Sequence, residues 1–411
     1  MKIFSRFLAI LSTCFCLSTY ADEGLVVHFK SLQAMQTYIL IKGIDPKTGK
    51  ACFIQFDFSH TPALATYVDA SSQTDSRDYT YALNRLPLEN NLATLHLPHL
   101  TSGRIYFSYG TPLQRFSIVK DAAGQEQIAD PSVYNPTDSN YNTLFDKVEF
   151  TYLDNGKTWA NPTAVDFVAM PLTIQQHGQT YGLTVSQQTL DNVMSTAFKN
   201  DSDYHDLIRR QANGHLLRIL APGRDDGSLS SNYLENTIEG YWQYYRTHTM
   251  TIDCSEVKPN DPLFSGRVSG DTLALKNQTG WKNTPSTTQC DANDSDNEVC
   301  IEKPSSDEFF QGAGPNLANK GAVPISVVSK FISSAWASGL MPTTSILNTS
   351  FFKAQQSHYF QQGSYDLYDK ALHSNNMGSL YGFAYDDVLG IDGTNGSSDQ
   401  YPITITLNQM E

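Results

Sequence analysis

Short apolar runs divided by polar turns dominate the first third of the chain. Leu25-Val26-Val27-His28-Phe29, Thr37-Tyr38-Ile39-Leu40-Ile41 and Cys52-Phe53-Ile54-Gln55-Phe56 are rich in β-branched and aromatic residues. Turn material such as Gly43-Ile44-Asp45-Pro46-Lys47-Thr48-Gly49 separates them, the signature of strands. Thr94–Leu97, Gly103–Ser108 and Gln114–Val119 continue the pattern, which predicts a sandwich or barrel.

From Ser186 the apolar period lengthens to that of a helix. Ser186 offers a cap, and Leu190, Val193, Met194 and Ala197 recur on one face as far as Phe198. Helices are predicted also over Tyr204–Ala212, Asn232–Thr247 and Ile325–Leu340, the last stopped by Gly339 and Pro342. Ser255–Pro304 is polar and reads as a surface excursion or irregular subdomain. Strands return at Tyr381–Val388 and Tyr401–Leu407. The order β, mixed α/β, β predicts two domains, residues 22–170 with 378–411 and residues 171–377. A substrate cleft is expected between them.

Met1–Ala21 reads as a secretory signal: Lys2 and Arg6 precede the apolar run Phe7–Leu17, and Thr19-Tyr20-Ala21 offers a cleavage site before Asp22. A secreted, extracellular protein is therefore expected, with no membrane attachment after cleavage. The formal net charge is −14, more negative still once Lys2 and Arg6 leave with the signal. Nucleic acid and anionic lipid reward clustered Lys and Arg, so neither is an expected partner. A neutral glycan is not repelled by such a surface. Of the six cysteines, Cys52, Cys254, Cys290 and Cys300 lie beyond the signal. An even number in an oxidising compartment predicts two disulfides. A local Cys290–Cys300 bridge would close the loop Asp291–Val299 and leave Cys52 with Cys254, one of three possible pairings. No cysteine or histidine spacing matches a zinc site, so no metal is expected.

The candidate chemistry concentrates in Val148-Glu149-Phe150-Thr151 and Trp159-Ala160-Asn161-Pro162-Thr163-Ala164-Val165-Asp166. Paired carboxylates beside aromatic and small polar side chains suit glycoside hydrolysis, where one acts as acid and the other as base or nucleophile. Asn155-Gly156 fits the centre of a type I′ hairpin turn. That register would place Glu149 opposite Pro162, with Asp166 on the same face four residues further, about 13 Å along the strand. Trp159 and Thr163 would then point away from Asp166. Inverting enzymes hold their carboxyls about 6.5–9.5 Å apart and retaining ones about 5–5.5 Å, so the wide offset favours inversion. Pro162 cannot donate a ladder bond, and an irregular second arm is expected there. Glu149, flanked by Val148 and Phe150, is the candidate general acid, and Asp166 the ionised base. Trp159 could stack on a sugar face while Thr151, Asn161 and Thr163 bond hydroxyls. The plain alternative is that both carboxylates are solvated edge charges.

Asp386-Asp387 is a second acidic pair, but neighbours on a strand point to opposite faces, and a structural Asp bonded to turn amides is the favoured reading. Gly-x-Ser-x-Gly, HExxH and phosphate-binding glycine loops are absent.

The two segments around Glu149 and Asp166 resemble the signature of glycoside hydrolase family 64, and Tyr381–Val388 is similar to that family's C-terminal motif. Gly43-Ile44-Asp45 resembles its N-terminal start. The resemblance implies a thaumatin-like β-barrel or sandwich domain, a mixed α/β domain and a wide groove between them. It implies an endo-acting β-1,3-glucanase, of a family several of whose members release laminaripentaose, acting on β-1,3-glucan by inversion and without a cofactor. A monomer is expected. Glu149 matches the general acid, Asp166 the general base, and Thr151, Trp159 and Thr163 line glucan subsites. Asn161 belongs to the same motif. The segment between the carboxylates is about one residue longer here, and Ser255–Pro304 has no counterpart. Two other readings stand beside it: a catalytically inactive thaumatin-like glucan-binding or adhesion protein, and a secreted structural or host-interaction protein that uses the excursion as its contact surface.

Overall fold

Alternating apolar residues at Leu25, Val27 and Phe29 bury one face of the strand Leu25–Ser31, which lies at the heart of a seven-stranded sheet. It pairs in parallel with Ile403–Leu407 and antiparallel with Leu92–Leu97. The C-terminal strand thus returns to the first one, as its pattern predicts. Leu172–Gln176 and Gln179–Leu183 extend the same sheet beyond Ile403–Leu407. The computed structural model describes residues 24–411 except 33–34, 71–74, 121–123, 224–226, 228, 257–258, 261, 278–297, 318–319, 322–324, 375–376, 392–394 and 398–401. The signal reading of Met1–Ala21 lies outside the described residues.

A second sheet runs from Asn395–Ser397 through Thr158–Pro162, Phe145–Tyr152, Leu100–Tyr109, Thr37–Ile44 and Ala51–Asp57 to Leu64–Asp69. Its register sets Ile41, Ile105 and Val148 in one row, facing the core. Phe107, on that face, meets Phe29 of the first sheet with ring centroids 6.0 Å apart. Each such side chain contributes about 1.5–3 kcal/mol by leaving water. Among the described residues neither sheet closes on itself, so the pair forms a sandwich rather than a barrel.

Three of the predicted helices form close to their expected bounds: Gln187–Phe198, Glu235–Thr247 and Ile325–Ala337. Ser186 Oγ accepts from the Thr189 amide at 3.2 Å, the expected cap. Tyr204–Ala212 differs. A single turn, Ser202–His205, gives way to Ile208–Arg210, which pairs with Leu216–Leu220 around Gly214 at φ 88°. The β-branched Ile208 and the Asn213-Gly214 turn outweigh the helical period there.

Ser255–Pro304 is not an excursion across its described residues. Leu263–Ser269, Thr272–Asn277 and Glu298–Glu302 are adjacent strands of a six-stranded sheet that also includes Met250–Asp253. Phe264, Leu273, Leu275, Val299 and Ile301 are buried, while polar residues such as Ser265, Arg267, Lys276 and Glu298 among them disguise the pattern. Tyr381–Val388 departs in the other direction. It makes only an isolated bridge from Tyr381 to Thr163 before a 3-10 turn at Asp386–Val388.

The expected Cys52–Cys254 bridge is not formed. Both thiols are free and buried, Cys52 in the second sheet and Cys254 beside Met250–Asp253 in the six-stranded one. Burial pushes each thiol up to about 12. Cys300 is disulfide-bonded; Cys290 lies outside the described residues. Among these residues no helix is long and apolar enough to cross a membrane.

A candidate active site on the cation-bearing sheet face

The face of the second sheet turned away from the core carries charge. Lys42, Arg104, Glu149 and Asn161 form one row across four strands. Leu40, Tyr106 and Lys147 occupy the next row. A residue of the strand Leu100–Tyr109 bulges out of register at Ser102, whose φ is +49°. Such bulges bend a strand and re-aim the side chains beside them, and here the bulge lies next to Arg104.

The hairpin carrying the site differs from the predicted turn by one residue. Glu149 lies opposite Asn161, and Val148 opposite Pro162. Leu153 and Lys157 close the loop by a 2.9 Å backbone bond, and Gly156 alone within it has positive φ, 79°. A type I′ turn needs positive φ at both central residues, so Asn155-Gly156 cannot be its centre. The one-residue change turns Trp159 and Asn161 onto the face of Glu149 and Thr151. The two-residue turn would have set both on the opposite face; Trp159 instead lines the same cavity as Glu149, where the sequence reading puts a stacking residue.

Arg104 grips Glu149 Oε1 with Nε at 3.1 Å and Nη2 at 2.8 Å. Asn161 Nδ2 reaches Glu149 Oε2 at 3.5 Å. Val148 and Phe150 point into the core instead, so the apolar flank expected for Glu149 is replaced by a guanidinium. These groups line a cavity of about 250 Å3 with Ser102, Gly103, Phe150, Thr151 and Trp159. Trp159 keeps 38% of its surface exposed, as a stacking platform requires.

Past Pro162 the second arm leaves the sheet, in keeping with its predicted irregularity. Tyr381 pairs with Thr163, and its carbonyl accepts from the Ala164 amide at 2.8 Å. Tyr368 Oη donates to the Ala164 carbonyl at 2.7 Å. Thr163 is buried and does not line the cavity. The chain then bends so that Asp166 Oδ2 forms a short ion pair with Lys147 Nζ. Lys147 precedes Glu149 by two residues on the same strand face, about 7 Å. Asp166 is therefore tethered to the strand that carries Glu149. Burial opposes the Lys147 charge, yet Asp166 and Asp130 together raise its pKa above the usual lysine value.

Asp130, Lys42, Arg104 and Lys147 escaped the sequence reading. Lys42 was legible only as an isolated charge inside an apolar strand, and Lys147 only as one charge of Asp146-Lys147-Val148-Glu149. Asp130 comes from the loop after Glu126–Ile128 and carries no local signal.

The second acidic pair separates as expected of a structural role. Asp386 Oδ2 accepts from the Gly382 amide at 2.6 Å and from His373 Nε2 at 2.8 Å, while the exposed Asp387 accepts from Tyr381 Oη at 3.1 Å. Asp369 Oδ1 lies 3.2 Å from the same His373 nitrogen. These three side chains could in principle ligate a metal, which the spacing in sequence did not foresee. Their separations are those of an imidazolium held between two carboxylates. The cluster braces the Tyr381 segment against which the Asp166 arm rests.

The family model described as "Beta-1,3-glucanase", Glyco_hydro_64, matches residues 25–405. The chain is 28% identical over 301 residues to a "Glucan endo-1,3-beta-glucosidase" of Arthrobacter sp. (strain YCWD3), covering 72% of this chain and 50% of that one. It is equally similar to the protein of that name from Cellulosimicrobium cellulans. The chain thus spans about half the length of the curated relatives it matches. Among solved structures, a laminaripentaose-producing β-1,3-glucanase in complex with laminaritetraose superposes with a TM-score of 0.72 at 22% identity, covering 94% of this chain and 98% of the other. A β-1,3-glucanase domain from Clostridium beijerinckii gives 0.69 at 21% identity and the same coverages. At these identities the superpositions establish a shared fold.

Proposed function

Because this chain belongs to the β-1,3-glucanase family Glyco_hydro_64, we propose that it is an endo-acting β-1,3-glucanase that inverts the anomeric centre. The observation that carries this reading is Glu149, gripped by Arg104 beside a cavity floored by Asn161 and flanked by Trp159, with Asp166 tethered through Lys147 to the same strand. Relatives named as glucan endo-1,3-beta-glucosidases and a fold shared with a laminaritetraose complex point to the same substrate class.

Glu149 donates a proton to the glycosidic oxygen as the bond to the anomeric carbon breaks. Asp166 takes a proton from water, whose oxygen attacks the opposite face of that carbon. Arg104 fixes Glu149 Oε1 and leaves Oε2 toward Asn161 and the cavity. Lys147 orients Asp166 and favours its ionised form. Trp159 offers a ring face to a pyranose, and Thr151 and Asn161 supply hydroxyl and amide partners. Thr163 acts through its backbone, since its side chain is buried.

The same reading places the substrate groove between a thaumatin-like sandwich, residues 22–170 with 378–411, and a mixed α/β domain, residues 171–377. It takes the protein to be secreted before it meets glucan. Incubation with linear β-1,3-glucan beside Glu149→Gln and Asp166→Asn variants tests it, with products resolved by size. Soluble oligosaccharides from the wild type and none from either variant are expected. Glucan binding without products from all three would overturn hydrolysis and favour an inactive glucan-binding protein.

A further inference from the structure

We infer that Asp130 is the positioning residue of this site, dividing the charge of the cations that hold Glu149 and Asp166 so that both carboxylates keep their working protonation states. The inference rests on the glucanase reading of those two residues. Asp130 Oδ1 accepts from Tyr106 Oη at 2.5 Å and meets Lys42 Nζ at 2.5 Å. Its Oδ2 forms a short pair with Arg104 Nη1 and lies 3.6 Å from Lys147 Nζ. Lys42 also donates to the Ile128 carbonyl at 2.5 Å, which pins the loop that presents Asp130.

Three cations and three carboxylates are therefore joined in one network. Arg104 shares its fork between Glu149 and Asp130, and Lys147 is shared between Asp166 and Asp130. Lys42 and Lys147 expose only 7% and 2% of their side chains, so neither can discharge its field into water. Burial pushes the Asp130 carboxyl up, but Lys42, Lys147 and Arg104 override it and hold it well below the usual carboxylate range. Asp130 is thus a standing negative charge. Without it, Glu149 would face an undivided guanidinium and Asp166 an undivided ammonium. A general acid would then release its proton at lower pH, and a general base would lose its basicity.

Asp130→Asn keeps the shape and removes the charge. Both limbs of its bell-shaped kcat/KM profile should move to lower pH by about one pH unit, with roughly tenfold less activity at the wild-type optimum. Lys42→Met should move both limbs the opposite way, and Asp130→Glu should bring them back toward wild type. A purely structural role would lower the curve without moving its limbs. The same linkage is read without turnover by following the Glu149 side-chain carboxyl by carbon-13 NMR, assigned through Glu149→Gln. Its titration midpoint should fall by about one pH unit in Asp130→Asn. An unmoved midpoint overturns the inference whether or not glucan is cleaved. A moved midpoint in a protein that cleaves no glucan sustains the linkage and overturns the glucanase reading.

Discussion

Arg104 and Glu149 lie directly opposite each other on neighbouring strands, and two guanidinium nitrogens converge on one carboxylate oxygen at 3.1 and 2.8 Å. Lysine cannot reproduce that fork, because its ammonium is a single point of charge. Arg104→Lys should therefore fold normally and lower kcat on β-1,3-glucan by on the order of 100-fold, the scale of a misplaced catalytic group. Steady-state kinetics beside a melting curve checks it. Unchanged kcat would mean that the pair is only structural.

Trp159 stands half out of the surface with no charged role. Trp159→Ala should raise KM about tenfold and leave kcat within a few-fold, because stacking binds ground and transition states alike. In the wild type, addition of laminari-oligosaccharides should alter tryptophan fluorescence. A fall in kcat at constant KM would place the ring at the reacting bond instead.

Stability should be greatest in mild acid. Burial pushes Asp146 and Asp366 up to about 6. Burial opposes a charged His373, yet Asp386 and Asp369 hold its pKa well above the usual value. Between about pH 4 and 6 the folded state keeps carboxyl protons that the unfolded chain gives up, so stability falls as pH rises through this window. His373 acts in the same direction, since its contribution is present below pH about 6.5 and is lost as pH rises through its folded value. Asp130 works oppositely: its carboxyl is held low, so its contribution is lost as pH falls below about 4. The melting temperature should be higher at pH 5 than at pH 7.5 and fall again in stronger acid. Asp366→Asn preserves acceptance from Tyr204 Oη and the Tyr368 amide through its remaining oxygen. That variant should flatten the slope between pH 5 and 7.5; an unchanged slope would remove Asp366 from this explanation.

Cys52 and Cys254 should resist modification while the fold persists. Both are buried, and thiols raised to about 12 leave little thiolate at pH 8. Alkylation followed by peptide mass spectrometry should find both unmodified in the native protein and modified after unfolding. A bridge linking their two peptides would contradict the free thiols.

Much of the sandwich was legible because Leu25–Phe29, Thr37–Ile41 and Cys52–Phe56 each carry their own strand pattern. Glu149 and Asp166 were legible as a pair because they flank one turn. Their geometry was not, since a choice between a two-residue and a three-residue loop around Gly156 decides which face Trp159 and Asn161 occupy. The cations were hidden for another reason. Lys42, Arg104 and Lys147 come from three strands, and Asp130 from a loop, so only the long-range register brings them together. Ser255–Pro304 misled because polar residues such as Ser265, Arg267, Lys276 and Glu298 interrupt its buried apolar positions, whereas Thr37–Ile41 and Cys52–Phe56 are almost continuously apolar.

The central claim is that Glu149 and Asp166 cleave β-1,3-glucan by single displacement. Proton NMR of freshly released oligosaccharides, recorded before mutarotation, tests it most directly. New reducing ends should appear first in the α configuration, and Asp166→Asn should release none. First appearance of the β anomer would contradict single displacement, and the absence of any new reducing ends from the wild type would contradict hydrolysis itself.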